Sequence, residues 1–115
     1  MNIEEFREYC LSKDQVTEGF PFDETTLVFK VLDKMFALTD VEGDFTVNLK
    51  CNPEKVIELR EKYSCVIPGY HMNKKHWNTI IIDETLSDDL IKEWIDESYS
   101  LVVQKLPLKL RNKLI

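Results

Sequence analysis

The sequence contains few of the residues that build specialised small folds, with three cysteines, three glycines and four prolines in 115 residues. An odd number of cysteines fits poorly with a closed disulfide framework. So few glycines and prolines leave no room for a low-complexity linker. The apolar run at residues 80–82 is, like the others, far too short to cross a bilayer. These shortages argue against a disulfide scaffold and a membrane-spanning helix and favour one ordinary globular domain.

A targeting signal is also missing from the sequence as it stands. Residues 1–5 contain neither the basic start nor the apolar run of a signal peptide. We therefore expect a cytoplasmic protein that makes no membrane contact and whose thiols stay reduced. The length is near the commonest size of a domain, so we expect a single domain over residues 1–115, present as a monomer.

Acidic residues outnumber basic ones by 21 to 15, which gives a net charge of −6. This balance argues against a protein that simply coats nucleic acid. The distribution is uneven, because residues 65–82 and 98–115 together contain six basic residues and no acidic one. An acidic body with two basic segments can steer an anionic partner. Ordinary scatter of solvated charge would give the same counts.

Two helix starts are visible in the first half of the chain. Asn2 and Glu5 have the spacing of a capping box, and they predict a helix over about residues 2–12. Pro53 after Asn52 predicts the start of a second helix, because proline at the first helical position loses only an unsatisfied donor.

The end of the chain predicts one long helix and an undecided tail. Ser87 is the expected N-cap of that helix, and Pro107 is expected to end it. Residues 108–115 alternate apolar and basic residues and could form a short strand, a basic arm or a frayed end.

Strand signals occupy the regions between these helices. Apolar residues recur at every second position between residues 26 and 50, which predicts an antiparallel meander of three strands. Residues 70–72 and 76–82 predict two more strands, joined as a hairpin. Residues 13–25 are polar and broken by glycine and proline, so they predict a loop, anchored to the core by its two phenylalanines, Phe20 and Phe22.

The predicted order of elements is α-β-β-β-α-β-β-α, which indicates the α+β class. Helices and sheet must cover each other's apolar faces, so the simplest arrangement is a two-layer α/β sandwich. We expect an antiparallel five-stranded sheet with helices packed on one face. Part of the other face would stay open, and a binding surface is expected there first.

The sequence contains no arrangement that suggests a reaction. The G-x-S-x-G elbow, the P-loop and the dinucleotide fingerprint are all absent. Four potential zinc ligands, Cys51, Cys65, His71 and His76, lack the close cysteine pair of a structural zinc site. We therefore expect no enzyme activity, no metal and no cofactor.

Residues 68–77 form the densest cluster of unusual residues, with the sequence Pro-Gly-Tyr-His-Met-Asn-Lys-Lys-His-Trp. Lysine and histidine donors can contact phosphate, and aromatic rings can stack on unpaired bases. These residues therefore suggest a basic hairpin that holds an anionic ligand. Alternatively, Tyr70 and Trp77 are core residues, and the lysines only keep a hairpin tip soluble.

The sequence resembles the MmcQ/YjbR-like proteins in several motifs that follow one another in the family's order along nearly the whole chain. The matching segments are residues 18–22, 27–31, 34–38, 49–51, 68–77, and 98–99 with 106–107. The resemblance implies a bacterial protein with a two-layer α/β fold similar to the CyaY-like and secretion-chaperone-like arrangements.

Members of that family are described as predicted DNA-binding proteins with a double-wing motif, in which the wings are β-hairpins. The resemblance places Lys34 in the first hairpin and Lys50 at the end of the third strand. It also places five residues in the second hairpin: His71, Asn73, Lys74, Lys75 and His76. It implies DNA as the partner, bound weakly and with strong salt dependence, because few lysines would neutralise the phosphate backbone.

Two other functions remain open at the level of sequence. The fold resemblance and an exposed sheet face also suit a protein-interaction or chaperone-like adaptor. A small-ligand or catalytic site around Tyr70, His71 and His76 is the third possibility.

Overall fold

The chain folds into one antiparallel sheet with helices beside it, in a computed structural model that describes residues 1–114. The strands are β1 (Val16–Gly19), β2 (Thr26–Val31), β3 (Lys34–Asp40), β4 (Thr46–Lys50), β5 (Val66–Pro68) and β6 (Trp77–Ile81). The helices are α1 (Ile3–Leu11), α2 (Pro53–Lys62), α3 (Asp88–Gln104) and α4 (Leu108–Arg111). The sheet order is β1-β2-β3-β4-β6-β5.

The three predicted helix starts are confirmed by their caps. Asn2 Oδ1 accepts a hydrogen bond from Glu5 N at 2.8 Å, and Glu5 Oε1 accepts one from Asn2 N at 3.1 Å. Asn52 and Ser87 each accept a bond from a backbone amide of the following turn, at 3.0 Å and 3.1 Å. Each bond satisfies a donor that has no partner within the first helical turn.

The main core lies between the helices and one face of the sheet. Phe6 of α1 meets Phe29 of β2 edge to face, with ring centroids 5.7 Å apart. Tyr63, which follows α2, meets Trp94 of α3 in the same way at 5.2 Å. The aromatic rings of α1, α3 and the end of α2 therefore all pack on the same face of the sheet, as predicted for a two-layer sandwich.

A smaller apolar cluster lies on the opposite face of the sheet. Val28, Leu38 and Trp77 are buried there, and Met35 and Met72 pack against them. Met72 comes from the loop between β5 and β6, so that loop covers part of the face that the helices leave open.

The predicted loop over residues 13–25 is wrong in part, because Val16–Gly19 forms the edge strand β1 and pairs with β2. The sheet therefore has six strands instead of five. A strand of four residues at an edge offers too short a pattern for the period of two to be visible. Phe20 and Phe22 are 49% and 64% exposed, so they do not anchor this connection to the core as predicted.

The predicted strand over residues 70–72 is also wrong. The hairpin partner of β6 is β5, and residues 69–76 form the loop between them. His71 has a φ of 58°, which is incompatible with an extended strand. The alternation of polar and apolar side chains in this segment imitated a strand without the backbone that a strand needs.

The tail forms α4, a short helix that none of the three alternatives foresaw. The Arg111 guanidinium donates to Gln104 O at 2.7 Å and so ties α4 to the end of α3. Ile115, the last residue of the tail, lies outside the described residues.

The α+β class and the two-layer arrangement are confirmed, with one more strand near the start and one more helix at the end than predicted. Within residues 1–114 no helix combines the length and apolar character needed to span a membrane.

Candidate functional site

Basic residues collect at one end of the sheet. Lys50 is the last residue of β4 and pairs with the first residue of β6. Lys34 begins β3 at the same end, because β3 and β4 are antiparallel. Lys75 and His76 immediately precede β6, and Lys105 immediately follows α3. Segments distant in sequence thus bring positive charge to one end of the fold.

Four of these residues, Lys50, Lys75, His76 and Lys105, are close enough to act on one another electrostatically, and we call them the basic cluster. The pKa of His76 is lowered by loss of solvent around its ring, and then by the charges of Lys105, Lys50 and Lys75. Burial lowers the pKa of Lys50, and the charge of Lys105 lowers it further. An anion bound among them would relieve this repulsion.

The basic cluster lacks a carboxylate partner within residues 1–114, where none of its members forms an ion pair. Glu97 lines a small cavity together with Lys50 and Cys51, and its charge adds to burial in raising the pKa of the Cys51 thiol. The positive charge of the cluster therefore remains available to an external anion.

Arg60 of α2 holds the loop of residues 69–76 against the sheet. Its Nε donates to Asn78 Oδ1 at 2.7 Å, and its Nη2 donates to Trp77 O at 3.3 Å and to Lys74 O. Asn78 is buried and also donates from Nδ2 to Val56 O at 3.3 Å. One guanidinium thus fixes both the first two residues of β6 and the loop that carries Lys75 and His76.

Two of the predicted binding residues help to shape the loop instead. Lys74 Nζ donates to Gly69 O at 3.2 Å. Asn73 Oδ1 accepts from Lys75 N at 2.9 Å, and Asn73 O accepts from Trp77 N at 3.0 Å. These bonds close a turn in the manner usual for asparagine.

Gly69 starts the loop where no side chain fits. A Cβ there would lie 2.9 Å from both Trp77 Cβ and Trp77 O, and 3.1 Å from Met72 Cβ. We expect Gly69→Ala to lower the free energy of unfolding by about 1 to 2 kcal/mol, because the loop must move away from β6. Urea denaturation measures this change.

Gly19→Ala is the matched control for that substitution, since a Cβ at Gly19 meets nothing within 4 Å. We expect it to leave stability almost unchanged. Equal losses from the two alanines would show that the close approach at Gly69 is not what requires glycine.

Tyr70 and His71 project from the same loop. Tyr70 is 70% exposed, and the two ring centroids lie 4.1 Å apart. The backbone amide of Tyr70 donates to Thr79 Oγ1 at 3.0 Å, and that hydroxyl in turn donates to Asn48. Asn48 and Thr79 lie on the open face of the sheet, so the exposed aromatic pair stands beside that face.

Comparison with known proteins fixes the family. The family model described as YjbR matches residues 11–101, most of the chain. The chain belongs to the YjbR family. The resemblance inferred from the sequence motifs is therefore confirmed.

Similar proteins match most or all of the length of the chain. The uncharacterised protein YjbR of Escherichia coli K12 is 36% identical to it, over 100% of this chain and 98% of that protein. The uncharacterised protein YbdF of Escherichia coli O157:H7 is 39% identical over 76% of this chain and 72% of that protein.

Solved structures give the same result. A crystal structure of a Deinococcus radiodurans protein of the DUF419 domain matches with a TM-score of 0.91 and 40% identity, over 97% of this chain and 86% of that one. A Pseudomonas syringae protein matches with a TM-score of 0.75 and 30% identity, over 88% of this chain and 98% of that one.

The structure of this YjbR-family chain brings together some of the seven predicted site residues and separates others. Lys50, Lys75 and His76 join the basic cluster. Lys34 lies exposed at the same end of the sheet, while His71 packs on Tyr70.

Sequence reasoning missed two residues at this site. Arg60 resembled an ordinary surface charge of α2, and nothing in the sequence pointed to its three acceptors. Lys105 was noticed only as part of an acid-free segment. One signal could have placed Lys105 near the sheet: it follows a long helix whose apolar face must pack on the sheet.

Proposed function

We propose that this protein binds nucleic acid, with DNA as the first candidate, through the basic cluster. The observation that supports this is the convergence of Lys50, Lys75, His76 and Lys105 from three separate parts of the chain. Phosphate oxygens are common acceptors for lysine and histidine donors in proteins that bind nucleic acid. The protein would act in the cytoplasm and as a monomer.

The proposed binding is weak and sensitive to salt. Each phosphate contact contributes a slope of about −0.9 for duplex DNA, or about −0.7 for a single strand, to a plot of the logarithm of affinity against the logarithm of salt concentration. About three contacts from the basic cluster would give a slope near −3 on a duplex and near −2 on a single strand. The net charge of −6 repels the rest of the polyanion, so contacts outside the cluster add little.

We propose binding without catalysis. The thiols of Cys10 and Cys51 are buried, and burial raises the pKa of both, so neither is a ready nucleophile. His76 has cations around it instead of the carboxylate that would orient it as a general base.

Neutralising two lysines of the cluster tests the proposal. We expect Lys75→Gln with Lys105→Gln to make the salt slope shallower by about 2, because two phosphate contacts are lost. Fluorescence anisotropy of a labelled oligonucleotide, titrated at several salt concentrations, measures the slope. Thermal denaturation of the same variant checks that the fold is retained.

Lys92→Gln is the control, which removes one positive charge at a distance from the basic cluster. Lys92 lies on α3 beside the Tyr9 ring, roughly 20 Å along the helix axis from Lys105, and its loss should leave the slope unchanged. If the control and the double variant weaken binding equally, net charge and not the basic cluster determines affinity. Absence of binding by the unmodified protein at low salt would refute the proposal outright.

A protein partner is the second candidate, supported by the exposure of Phe22 and Tyr70. A partner held by apolar contact would remain bound when Lys75 and Lys105 are neutralised. It would be released when those aromatic side chains are shortened.

A further inference from the structure

The open face of the sheet carries exposed aromatic rings that the basic cluster does not use. Tyr70 is 70% exposed at one side and Phe20 is 49% exposed at the other. Nine of the ten other aromatic side chains of the protein are buried or half-buried, and the tenth is the exposed Phe22. Both rings border the face of the sheet that lies opposite the helices.

Phe20 forms one wall of an open cleft of about 330 Å³ above β1 and β2. Val28, Lys30, Glu18 and Asp33 also line it, and the Glu18 carboxylate is paired with Arg7. The Asp33 carboxylate can accept a hydrogen bond from an N–H group of a base, and the Phe20 ring offers a surface on which a base can stack. The cleft can therefore hold a base.

Tyr70 lies at the other side of the same face. His71 packs against it and has a φ of 58°, a conformation that costs energy for a residue other than glycine. The bond from Tyr70 N to Thr79 Oγ1 fixes the backbone at that point. The backbone that carries the Tyr70 ring is thus held in place, while most of the side chain stays open to solvent.

The two rings and the basic cluster are spread across the width of the sheet. Phe20 follows β1, and Tyr70 lies in the loop before β6 and is bonded to Thr79 of that strand. β1 and β6 are four positions apart in the sheet, which corresponds to roughly 19 Å between the two strands. Lys50 lies on β4 between them, at the end of the strand. Short single-stranded sites span about four nucleotides or more and combine a positive border with stacking rings.

We propose that the nucleic acid bound by this protein is single-stranded, with unpaired bases stacked on Phe20 and Tyr70 and phosphates held by the basic cluster. This inference rests on the proposed function, because it adds base stacking to the same phosphate contacts. A duplex buries its base faces and can use only the charged part of the site.

Two probes test the inference: a labelled twelve-residue oligothymidine and a labelled twelve-base-pair duplex, both at low salt. We expect the protein to bind the oligothymidine more tightly than the duplex. Phe20→Leu with Tyr70→Leu should weaken binding of the single strand about 10-fold or more, because leucine keeps apolar area but has no ring to stack. Binding of the duplex and the salt slope should remain unchanged.

Ile57→Ala is the control, since Ile57 is 59% exposed on α2, among the helices on the opposite side of the sheet. Tighter binding of the duplex, or a double leucine variant that binds the single strand normally, would overturn the single-strand inference and leave the proposed function intact. If the protein binds neither the oligothymidine nor the duplex, both the proposed function and the single-strand inference are rejected.

Discussion

Arg60→Met is expected to lower the free energy of unfolding by about 3 kcal/mol and to loosen the loop of residues 69–76. The guanidinium donates to Asn78 Oδ1 and to two backbone carbonyls, at Lys74 and Trp77. Hydrogen bonds to a charged group contribute more than neutral ones, and their loss leaves the buried Asn78 side chain without one of its partners. Methionine retains the apolar stem, so the change isolates the hydrogen bonds.

Urea denaturation measures the loss in Arg60→Met, and amide hydrogen exchange locates it. Exchange should become faster at residues 69–78 and stay slow in α3 and β2, because the guanidinium contacts only the former. Glu58→Gln on the exposed side of α2 is the control and should be close to neutral. A stability equal to that of the unmodified protein would mean that the loop is held by other contacts.

Ser98→Ala should destabilise the protein by about 2 kcal/mol, although it removes a single oxygen. Ser98 is fully buried, and its hydroxyl donates to Phe36 O at 2.5 Å and accepts from Lys50 N at 2.9 Å. A bulge in β3 leaves the Phe36 carbonyl outside the ladder. Without the hydroxyl, both backbone groups lose their partner in a partly buried position.

Ser100→Ala lies on the exposed side of the same helix and provides the comparison. Thermal unfolding of the two variants should give a clear fall in Tm for Ser98→Ala and little change for Ser100→Ala. Because Ser98 also fixes the backbone of Lys50, the first variant should weaken nucleic-acid binding modestly. Equal Tm values would contradict the assigned role of Ser98.

The sequence predicted those parts of the fold in which a local signal and a long-range contact agree. Asn2, Asn52 and Ser87 cap helices because each side chain accepts from an amide of the following turn. The meander between residues 26 and 50 was visible because its inner face is uniformly buried. Both signals depend on residues that are close in the chain.

The predicted secondary structure was wrong where contacts between residues distant in sequence determine the local structure. β1 is short and owes its extended form to pairing with β2. Residues 70–72 alternate like a strand, but Gly69 must pack against Trp77 and His71 takes a left-handed conformation. No local pattern reports such contacts, so the segment was predicted to be extended.

The candidate site was predictable in composition but not in geometry. Residues 68–77 were singled out for their lysines, histidines and aromatic rings, and three of the seven predicted residues reach the basic cluster. Lys74 and Asn73 instead stabilise the loop. Arg60 could not be identified, because its acceptors are backbone carbonyls and an amide that come near it only in the folded chain.

The proposed nucleic-acid binding depends on one surface, around Lys50, Lys75, His76 and Lys105, none of which forms an ion pair within residues 1–114. An NMR titration of the labelled protein with a short single-stranded oligonucleotide at low salt tests it most directly. Shift changes should concentrate at those four residues and Tyr70, and added salt should reverse them. Changes centred on the acidic surface around Glu93 and Asp96 of α3, or an unchanged spectrum, would contradict it.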